Sequence, residues 1–224
     1  MTRPLIGILG GTFDPVHRGH MQLAADAIHA LTLDRLRCVP AGRPPHRGAP
    51  AASADDRLAM TRLAFADMAN CEIDDAEIRQ EGPSWTIRTL ERLRAEMPDA
   101  ALVLIVGADA FLGLPTWHRW QELLSLVHLA VTNRPGADLQ PSALPPQLQA
   151  VWRRAYVEDR AALRTQPAGC LVSFTMTPST VSATRVRQAV SRGEAIDTLV
   201  CPTVEKYIHQ HHLYTHVAHP GLLA

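Results

Sequence analysis

The chain has 224 residues, of which 46% are hydrophobic and 20% charged, and its 22 Lys and Arg residues balance 22 Asp and Glu residues. This composition is typical of a globular protein, and zero net charge without a basic stripe disfavours a nucleic-acid-binding protein. A site for a small anion is not excluded, because a local excess of positive charge is invisible in a sum. At about 100–200 residues per domain, the length fits one domain or one domain with an appendage.

Four cysteines are spread along the chain without a C-x-x-C pair: Cys38, Cys71, Cys170 and Cys201. This spacing favours reduced, mostly buried thiols over a metal-binding or disulfide framework. No apolar run approaches the roughly 20 residues of a membrane helix, and the first apolar stretch is too short for a signal peptide. We therefore predict a cytoplasmic protein without a membrane partner.

Six short apolar runs predict the strands of a sheet: residues 4–9, 35–40, 71–74, 100–106, 127–132 and 171–174. Residues 100–106 give the clearest prediction, because continuous apolarity is typical of a parallel strand that is covered on both faces. Helical patterns separate the runs, at residues 19–31, 55–67, 84–97, 116–124, about 147–155, 182–191 and 202–210. We predict Ser53 or Asp55 as the cap of the second helix and Ser84 as the cap of the third.

Strands that alternate with helices predict an α/β fold with a doubly wound parallel sheet. We predict a single domain over residues 1–215, with a small helical part at about residues 182–215. Residues 41–54, rich in Pro, Gly and Arg, predict a loop, and residues 216–224 predict a tail without an assigned role. Ligands of such sheets bind beyond the carboxyl ends of the strands, so the residues that follow each strand are the candidates for a site.

The first predicted strand leads directly into the segment GGTFDPVHRGH, from Gly10 to His20. The two glycines let backbone amides approach a ligand closely, and the following helix presents free N–H groups and a positive dipole end to a phosphate. His17 and His20 are three residues apart, so one helical turn places them on the same face. Two such donors beside a phosphate can stabilise the charge that develops in phosphoryl or nucleotidyl transfer.

The alternative for this segment is a tight turn with two His residues that cap the helix or form part of a metal site, for which no third ligand is evident. A second candidate, STVSATRVR at residues 179–187, places Ser182 and Thr184 at a predicted helix start and Arg187 one turn later. Hydroxyls, helix-start amides and an arginine can clamp a phosphate, although Ser and Thr also commonly cap helices. Together the two segments predict a locally basic cleft for anions.

These two segments resemble the nucleotidyltransferase superfamily that carries an H-x-G-H signature and a distal S-[SA]-T-x-[IV]-R signature. Four further segments resemble the bacterial nicotinate-nucleotide adenylyltransferases: PPHR at residues 44–47, GPSWTIRTL at 82–90, GADAFLGLPTWHRW at 107–120 and NRPG at 133–136. The resemblance covers about residues 5–214. Two departures are Ala183, where the family often has a second Ser, and Trp85, which replaces a common Tyr. Trp85 keeps a ring for stacking but loses the phenol hydrogen bond.

The resemblance implies transfer of AMP from ATP to nicotinate mononucleotide, giving deamido-NAD and pyrophosphate without a covalent enzyme intermediate. It implies Mg²⁺ carried by the triphosphate, so we predict no dedicated metal-binding residue. The implied catalytic residues are His17, His20 and Arg187. The implied ATP-binding residues are Gly10, Gly11, Thr12, Phe13, His17, His20, Gly107, Ser182, Thr184 and Arg187.

For the acceptor nucleotide, the resemblance implies a second set of residues. These are His46, Arg47, Trp85, Thr86, Asp109, Trp117 and Arg134. The two tryptophans would stack on the pyridine ring, the two arginines would bind the phosphate, and Asp109 would accept from the ribose hydroxyls. The alternatives are core tryptophans, solvated arginines and an aspartate that caps a helix. Uncommitted backbone amides near Trp85 and Thr86, at a predicted helix start, would favour a nicotinate carboxylate over a carboxamide.

Rival functions are transfer to another acceptor, such as nicotinamide mononucleotide or phosphopantetheine, and a non-catalytic nucleotide-binding module. The intact His17, His20 and Arg187 argue against the module, and the segments at residues 82–90 and 107–120 argue against the other acceptors. The sequence leaves the oligomeric state open, a homo-oligomer included.

Overall fold

A computed structural model describes residues 2–44, 48–133 and 140–215. Within this part of the chain, parallel strands form one six-stranded sheet. The strands are β1 (Leu5–Gly11), β2 (Arg35–Pro40), β3 (Cys71–Ile73), β4 (Ala101–Gly107), β5 (His128–Asn133) and β6 (Leu171–Thr175). The six predicted strands and the α/β doubly wound parallel sheet are confirmed.

The order of the strands is β3-β2-β1-β4-β5-β6, so the direction of winding reverses between β1 and β4. β1 pairs with β2 as far as Gly11, but its pairing with β4 runs from Leu5 to Ile8. The two central strands therefore separate at their carboxyl ends. This separation opens a crevice at the point where the topology of doubly wound sheets places a ligand.

Helices cover both faces of the sheet. In the described residues they are α1 (Arg18–Leu31), α2 (Ala54–Phe65), α3 (Ala76–Arg79), α4 (Thr86–Glu96), α5 (Ala108–Leu112), α6 (Leu123–Leu126), α7 (Pro146–Ala155), α8 (Ala183–Ser191) and α9 (Pro202–Gln210). Short 3₁₀ turns lie at Leu114–Thr116, Trp120–Glu122, Pro141–Ala143 and Arg160–Arg164. The predicted bounds of α1, α2, α4, α7, α8 and α9 are confirmed to within two residues.

The predicted helix over residues 116–124 is wrong. The segment after β4 instead starts with α5 directly at the end of the strand and continues through two 3₁₀ turns into α6. Inside the predicted range the backbone leaves the helical region twice, at Trp117, which is extended, and at Arg119, whose φ is +53°. The short α3 was not predicted, because four residues are too few to show a helical period.

The two predicted serine caps have different outcomes. Ser53 caps α2, where its Oγ accepts the N–H of Asp56 at 3.1 Å. Ser84 does not cap α4, and this prediction is wrong: its Oγ accepts the N–H groups of Gly42 and Arg43, both at 3.0 Å. A tertiary contact to the loop after β2 thus replaces the local one.

The core lies on both sides of the sheet, and β4 contributes to both halves. Val103 and Ile105 face the cluster beneath α1, α2, α8 and α9, whereas Leu102 and Leu104 face the cluster beneath α4, α5 and α7. Each fully buried side chain of this size contributes about 1.5–3 kcal/mol of hydrophobic stabilisation. Trp152, 8% exposed, belongs to the second cluster and is a core residue.

The cysteines are free thiols, as predicted, and two of them meet. Cys38 on β2 and Cys71 on β3 bring their sulfur atoms to 3.5 Å, a proximity that their separation of 33 residues does not reveal. Cys38 and Cys170 are buried, whereas Cys71 and Cys201 are partly exposed. No helix in the described part of the chain is long and apolar enough to cross a membrane. The predicted tail, residues 216–224, lies outside the described residues.

Candidate active site

A cleft of about 800 Å³ opens where β1 and β4 separate. A volume of this size is within the range of ligand pockets. Eleven of the residues predicted from the sequence line it: Gly10, Gly11, Thr12, Phe13, His20, Trp85, Thr86, Gly107, Asp109, Trp117 and Arg187. Residues separated by up to 177 positions in the chain therefore meet in one cleft, with β1 and α8 on one side and α4 and α5 on the other.

The phosphate loop, residues 10–14, leaves β1 through a strained turn. Phe13 has a φ of +50°, in the left-handed region, and its ring is buried. The ring lies against Gly11, where a Cβ atom would approach it to 2.9 Å. Gly11 is therefore needed for close packing, and the strain at Phe13 lies within the loop that lines the cleft.

The two signature histidines stack on each other, with ring centroids 3.7 Å apart. The backbone N–H of His17, at the N-cap of α1, donates to Nδ1 of His20 at 3.3 Å. The proton of a neutral His20 is therefore on Nε2, which makes His20 a hydrogen-bond donor in the cleft lining. Gly19 allows the pair to form, because a Cβ there would approach the His17 ring to 3.1 Å.

His17 itself is buried behind His20 and does not line the cleft in the described structure. It is 7% exposed, and its Nδ1 has no hydrogen-bond partner among the described residues. Burial lowers the pKa of His17 to about 4. His17 is thus neutral near pH 7 and adds no positive charge to the cleft, which corrects part of the prediction of a locally basic site.

Arg187 is the cation that the structure places in the cleft from α8. Its Nη1 donates to the backbone oxygen of Asp14 at 2.6 Å, and its Nη2 donates to Oγ1 of Thr184 at 3.4 Å. Ser182 is the N-cap of α8, and its Oγ accepts the N–H of Arg185 at 3.2 Å. Ser182 and Thr184 are exposed beside the cleft rather than in its lining, which is occupied by Ala183.

The acceptor wall is the opposite side of the cleft, formed by residues 84–89 and 107–118. The rings of Trp85 and His118 contact each other with centroids 4.9 Å apart, and Trp117 lines the same wall. Asp109 lies in the first turn of α5, whose N-cap is Gly107, so the alternative of a capping aspartate is not what the structure shows. His118 is a lining residue that the sequence did not single out.

The helix-start amides of this wall are partly different from those expected. Trp85 is the N-cap of α4, but its N–H donates to the carbonyl of Pro83 at 3.0 Å, so it is not uncommitted as predicted. The ladder of α4 begins with Arg88, which donates to the Trp85 carbonyl. Helix geometry therefore leaves the amides of Thr86 and Ile87, which precede the first intrahelical donor, without an intrahelical acceptor at the positive end of the helix dipole.

Three predicted site residues lie outside the ranges that the structure describes: His46, Arg47 and Arg134. Among the residues that line the cleft without having been predicted as binding residues are Asp14, Glu77, Ser84 and Thr89. Asp14 belongs to the signature segment GGTFDPVHRGH, so the sequence could have indicated it as a site residue. Glu77 and Thr89 had no such signal, because a single Glu and a single Thr in helical surroundings look like surface residues.

Glu77 is a buried carboxyl group of α3 that lines the cleft beside the acceptor wall. Thr89 donates to its Oε1 in a short hydrogen bond of 2.5 Å. Burial raises the pKa of Glu77, while the hydrogen bonds from Thr89 and Ser84 act in the opposite direction. No group of three or more His, Cys, Asp or Glu side chains that could hold a metal ion is found within residues 2–44, 48–133 and 140–215.

Residues 8–189 match the cytidylyltransferase-like family model. The chain is 46% identical over 215 residues to a probable nicotinate-nucleotide adenylyltransferase of Dechloromonas aromatica, an alignment that covers 96% of this chain and 99% of the relative. It is 47% identical over 210 residues to a probable nicotinate-nucleotide adenylyltransferase of Pseudomonas fluorescens, covering 93% of this chain and 96% of that one.

Two solved structures share the fold. The nicotinic acid mononucleotide adenylyltransferase of Plasmodium falciparum complexed with NaAD has a TM-score of 0.69 at 14% identity, covering 95% of this chain and 98% of that one. A putative nicotinate-nucleotide adenylyltransferase from Vibrio parahaemolyticus has a TM-score of 0.63 at 16% identity, covering 95% and 96%. From the family match and the close relatives, the chain belongs to the cytidylyltransferase-like family and, within it, to the nicotinate-nucleotide adenylyltransferases.

Proposed function

We propose that the protein transfers AMP from MgATP to nicotinate mononucleotide, as an enzyme of NAD biosynthesis that acts in the cytoplasm. The observation that carries this proposal is the pairing of two unlike walls in one cleft. One wall, the donor wall, combines the phosphate loop with His20 and Arg187. The other, the acceptor wall, presents Trp117 and the start of α4. A donor triphosphate and a pyridine mononucleotide each find a complementary surface within reach of the other.

The reaction is an in-line displacement at the α-phosphorus of ATP. A phosphate oxygen of the mononucleotide attacks, a new P–O bond forms, and the bond to the bridging oxygen breaks, so that pyrophosphate leaves with the electron pair. The protein contributes positioning and electrostatic stabilisation, which dominate phosphoryl-type transfers. Mg²⁺ enters as part of the MgATP substrate and neutralises charge on the triphosphate.

On the donor side, we assign the α-phosphate to the phosphate-loop amides and to Nε2–H of His20. A donor aimed at an oxygen that gains charge in the transition state contributes about 2.7–4 kcal/mol in comparable sites. Arg187, held by the Asp14 carbonyl at 2.6 Å, is assigned to the leaving pyrophosphate. His17 is assigned a supporting role behind His20, because its ring stacks on His20 at 3.7 Å and is itself buried.

On the acceptor side, we assign the pyridine ring to Trp117, with Trp85 as a second aromatic contact, and the ribose hydroxyls to Asp109. The amides of Thr86 and Ile87 at the start of α4 suit the nicotinate carboxylate, which accepts hydrogen bonds and gains from the helix dipole. A carboxamide would direct its NH₂ donors at these donors. Sites that mispair polar groups in this way discriminate strongly between otherwise similar ligands.

The test is a pyrophosphate-release assay with nicotinate mononucleotide, nicotinamide mononucleotide and phosphopantetheine side by side. We expect kcat/KM for the nicotinate form to exceed that for the nicotinamide form by about 10²-fold or more, which is within the discrimination that mispaired polar groups produce. Equal rates with the two mononucleotides would contradict the acceptor assignment. No pyrophosphate with any acceptor, from a protein that still binds ATP, would instead favour a non-catalytic nucleotide-binding module.

A further inference from the structure

A buried arginine, Arg57 on α2, joins the phosphate loop to the loop after β2, which in turn contacts the acceptor wall through Ser84. It is 1% exposed, yet it lies in the first turns of a helix that does not itself line the cleft. Its Nη1 donates to the Thr12 carbonyl of the phosphate loop at 2.7 Å and to the Ala41 carbonyl at 2.5 Å. Its Nη2 donates to the Gly42 carbonyl at 2.9 Å. One planar guanidinium thus binds the phosphate loop to the loop that follows β2.

Gly42 is also held by the acceptor wall, through its N–H group. Its N–H donates to Oγ of Ser84 at 3.0 Å, and Ser84 lies two residues before α4 begins at Thr86. The fit is tight, because a Cβ atom at Gly42 would lie 2.0 Å from the Glu77 carbonyl. A continuous path of hydrogen bonds therefore runs from Thr12 through Arg57, Gly42 and Ser84 to the start of α4.

A buried anion makes the corresponding contacts at the far end of this loop. Asp14 is 7% exposed, and its carboxylate accepts the N–H groups of Ala51 at 2.7 Å and Ala52 at 3.0 Å. Tyr214 donates to the same carboxylate at 2.9 Å. Both ends of the loop between β2 and α2 are thus attached to the phosphate loop through a buried charged side chain.

The network is buried and connects separate segments of the chain, so it can fix their relative positions. Buried charges cost free energy unless they are paired and hydrogen-bonded, so retaining an arginine here needs a compensating set of acceptors. Three backbone carbonyls accept hydrogen bonds from its Nη1 and Nη2, while its Nε has no hydrogen-bond partner among the described residues. Since backbone atoms cannot move without moving the loops, the guanidinium fixes the distance between the loop that holds the donor nucleotide and the loop attached to the acceptor wall.

We propose that Arg57 is a positioning residue for the transfer reaction, which sets the donor wall against the acceptor wall without touching either substrate. The inference rests on the proposed function, because it concerns the approach of the acceptor phosphate to the α-phosphorus. Misplacement by about 1 Å from a change remote from the chemistry can cost about 10²-fold in rate. Loss of Arg57 therefore lowers kcat more than it weakens the binding of either substrate.

The experiment compares Arg57→Met with Thr61→Val, a matched control one turn further along α2. Thr61 is 0% exposed and donates to the Arg57 carbonyl at 2.7 Å, so it is an equally buried polar residue whose contact stays within the helix. We expect Arg57→Met to lower kcat by about 10-fold or more, with Kd values for ATP and the mononucleotide changed by less than about threefold. Thr61→Val keeps the wild-type kcat.

Calorimetric binding stoichiometry measures the folded, binding-competent fraction, so that loss of folded protein is not read as loss of rate. Arg57→Lys provides a second variant: it keeps the charge, but one ammonium group cannot reproduce the fork that spans three carbonyls, and we expect an intermediate kcat. Equal kcat values per binding site for Arg57→Met and Thr61→Val overturn the proposal. If Arg57→Met does not fold, a wild-type kcat in Arg57→Lys overturns it instead. A wild-type protein that makes no deamido-NAD refutes the proposed function, a result distinct from either outcome.

Discussion

The two walls of the cleft are built in different ways. The donor wall comes from one contiguous segment, residues 10–20, to which Arg187 is added from α8. The acceptor wall is assembled from residues 84–89 and 107–118, and its start is fixed by the contact of Ser84 with the loop after β2. In a wall made from one segment, the positions of the functional groups depend mainly on local backbone geometry. A wall made from several segments depends on buried tertiary contacts, and it is more sensitive to changes away from the substrate.

The largest expected difference between the two walls concerns His20, which we assign to the reacting phosphate on the donor wall. We expect His20→Ala to lower kcat by about 10²-fold or more, because it removes the Nε2–H donor from the transition state. The Kd of nicotinate mononucleotide should change little, since the acceptor wall is separate. Steady-state kinetics with pyrophosphate detection and calorimetric binding measure the two quantities.

The control for this variant is His29→Ala. His29 lies in the last turn of the same helix and is exposed, so it shares the residue type and the element but not the site. Full turnover in His20→Ala would contradict the assigned role. A drop of similar size in His29→Ala would show that the helix, rather than the imidazole in the cleft, is responsible.

The difference between the walls also explains what could be predicted from the sequence. The strands were predicted correctly because parallel strands covered on both faces are continuous apolar runs, as in β4. The donor wall was predicted because its residues are neighbours in the sequence. The Ser84 cap was predicted wrongly because local propensity is overridden by a contact with Gly42, 42 residues away. The roles of Arg57 and Glu77 leave no local pattern, since their partners are backbone atoms and a threonine on other segments.

The acceptor wall is tested by removing its aromatic surface. We expect Trp117→Ala to raise the KM for nicotinate mononucleotide by about 10-fold, because ring stacking contributes about 1–3 kcal/mol per base in comparable sites. The KM for ATP should stay nearly constant. Trp120→Ala is the matched control: Trp120 packs against the same core cluster three residues later but does not line the cleft. Equal effects of the two variants on the acceptor KM would indicate that packing, not stacking, is lost.

The smallest expected effect concerns His17 and the charge of the donor wall. Burial lowers the pKa of His17 to about 4 in the folded protein, whereas the pKa of an unfolded His is about 6.5. Between these two values the unfolded state binds more protons than the folded state. Stability is then lost as the pH falls, and the loss from pH 8 to pH 6 is about 1 kcal/mol from this residue. Urea unfolding of wild type and His17→Gln at pH 8 and pH 6 isolates the contribution of His17 to the pH dependence of stability, because the other histidines contribute equally in both proteins.

A pH dependence of stability that is the same in wild type and His17→Gln would mean that His17 titrates normally and is charged in part near pH 6. A positively charged His17 would then add to the charge of Arg187 in the donor wall. With His17 neutral, the cation in the described lining of this wall is Arg187, and the phosphate-loop amides are neutral N–H donors. Salt should therefore weaken ATP binding far less than it weakens binding to a strongly cationic surface, because few counterions are displaced.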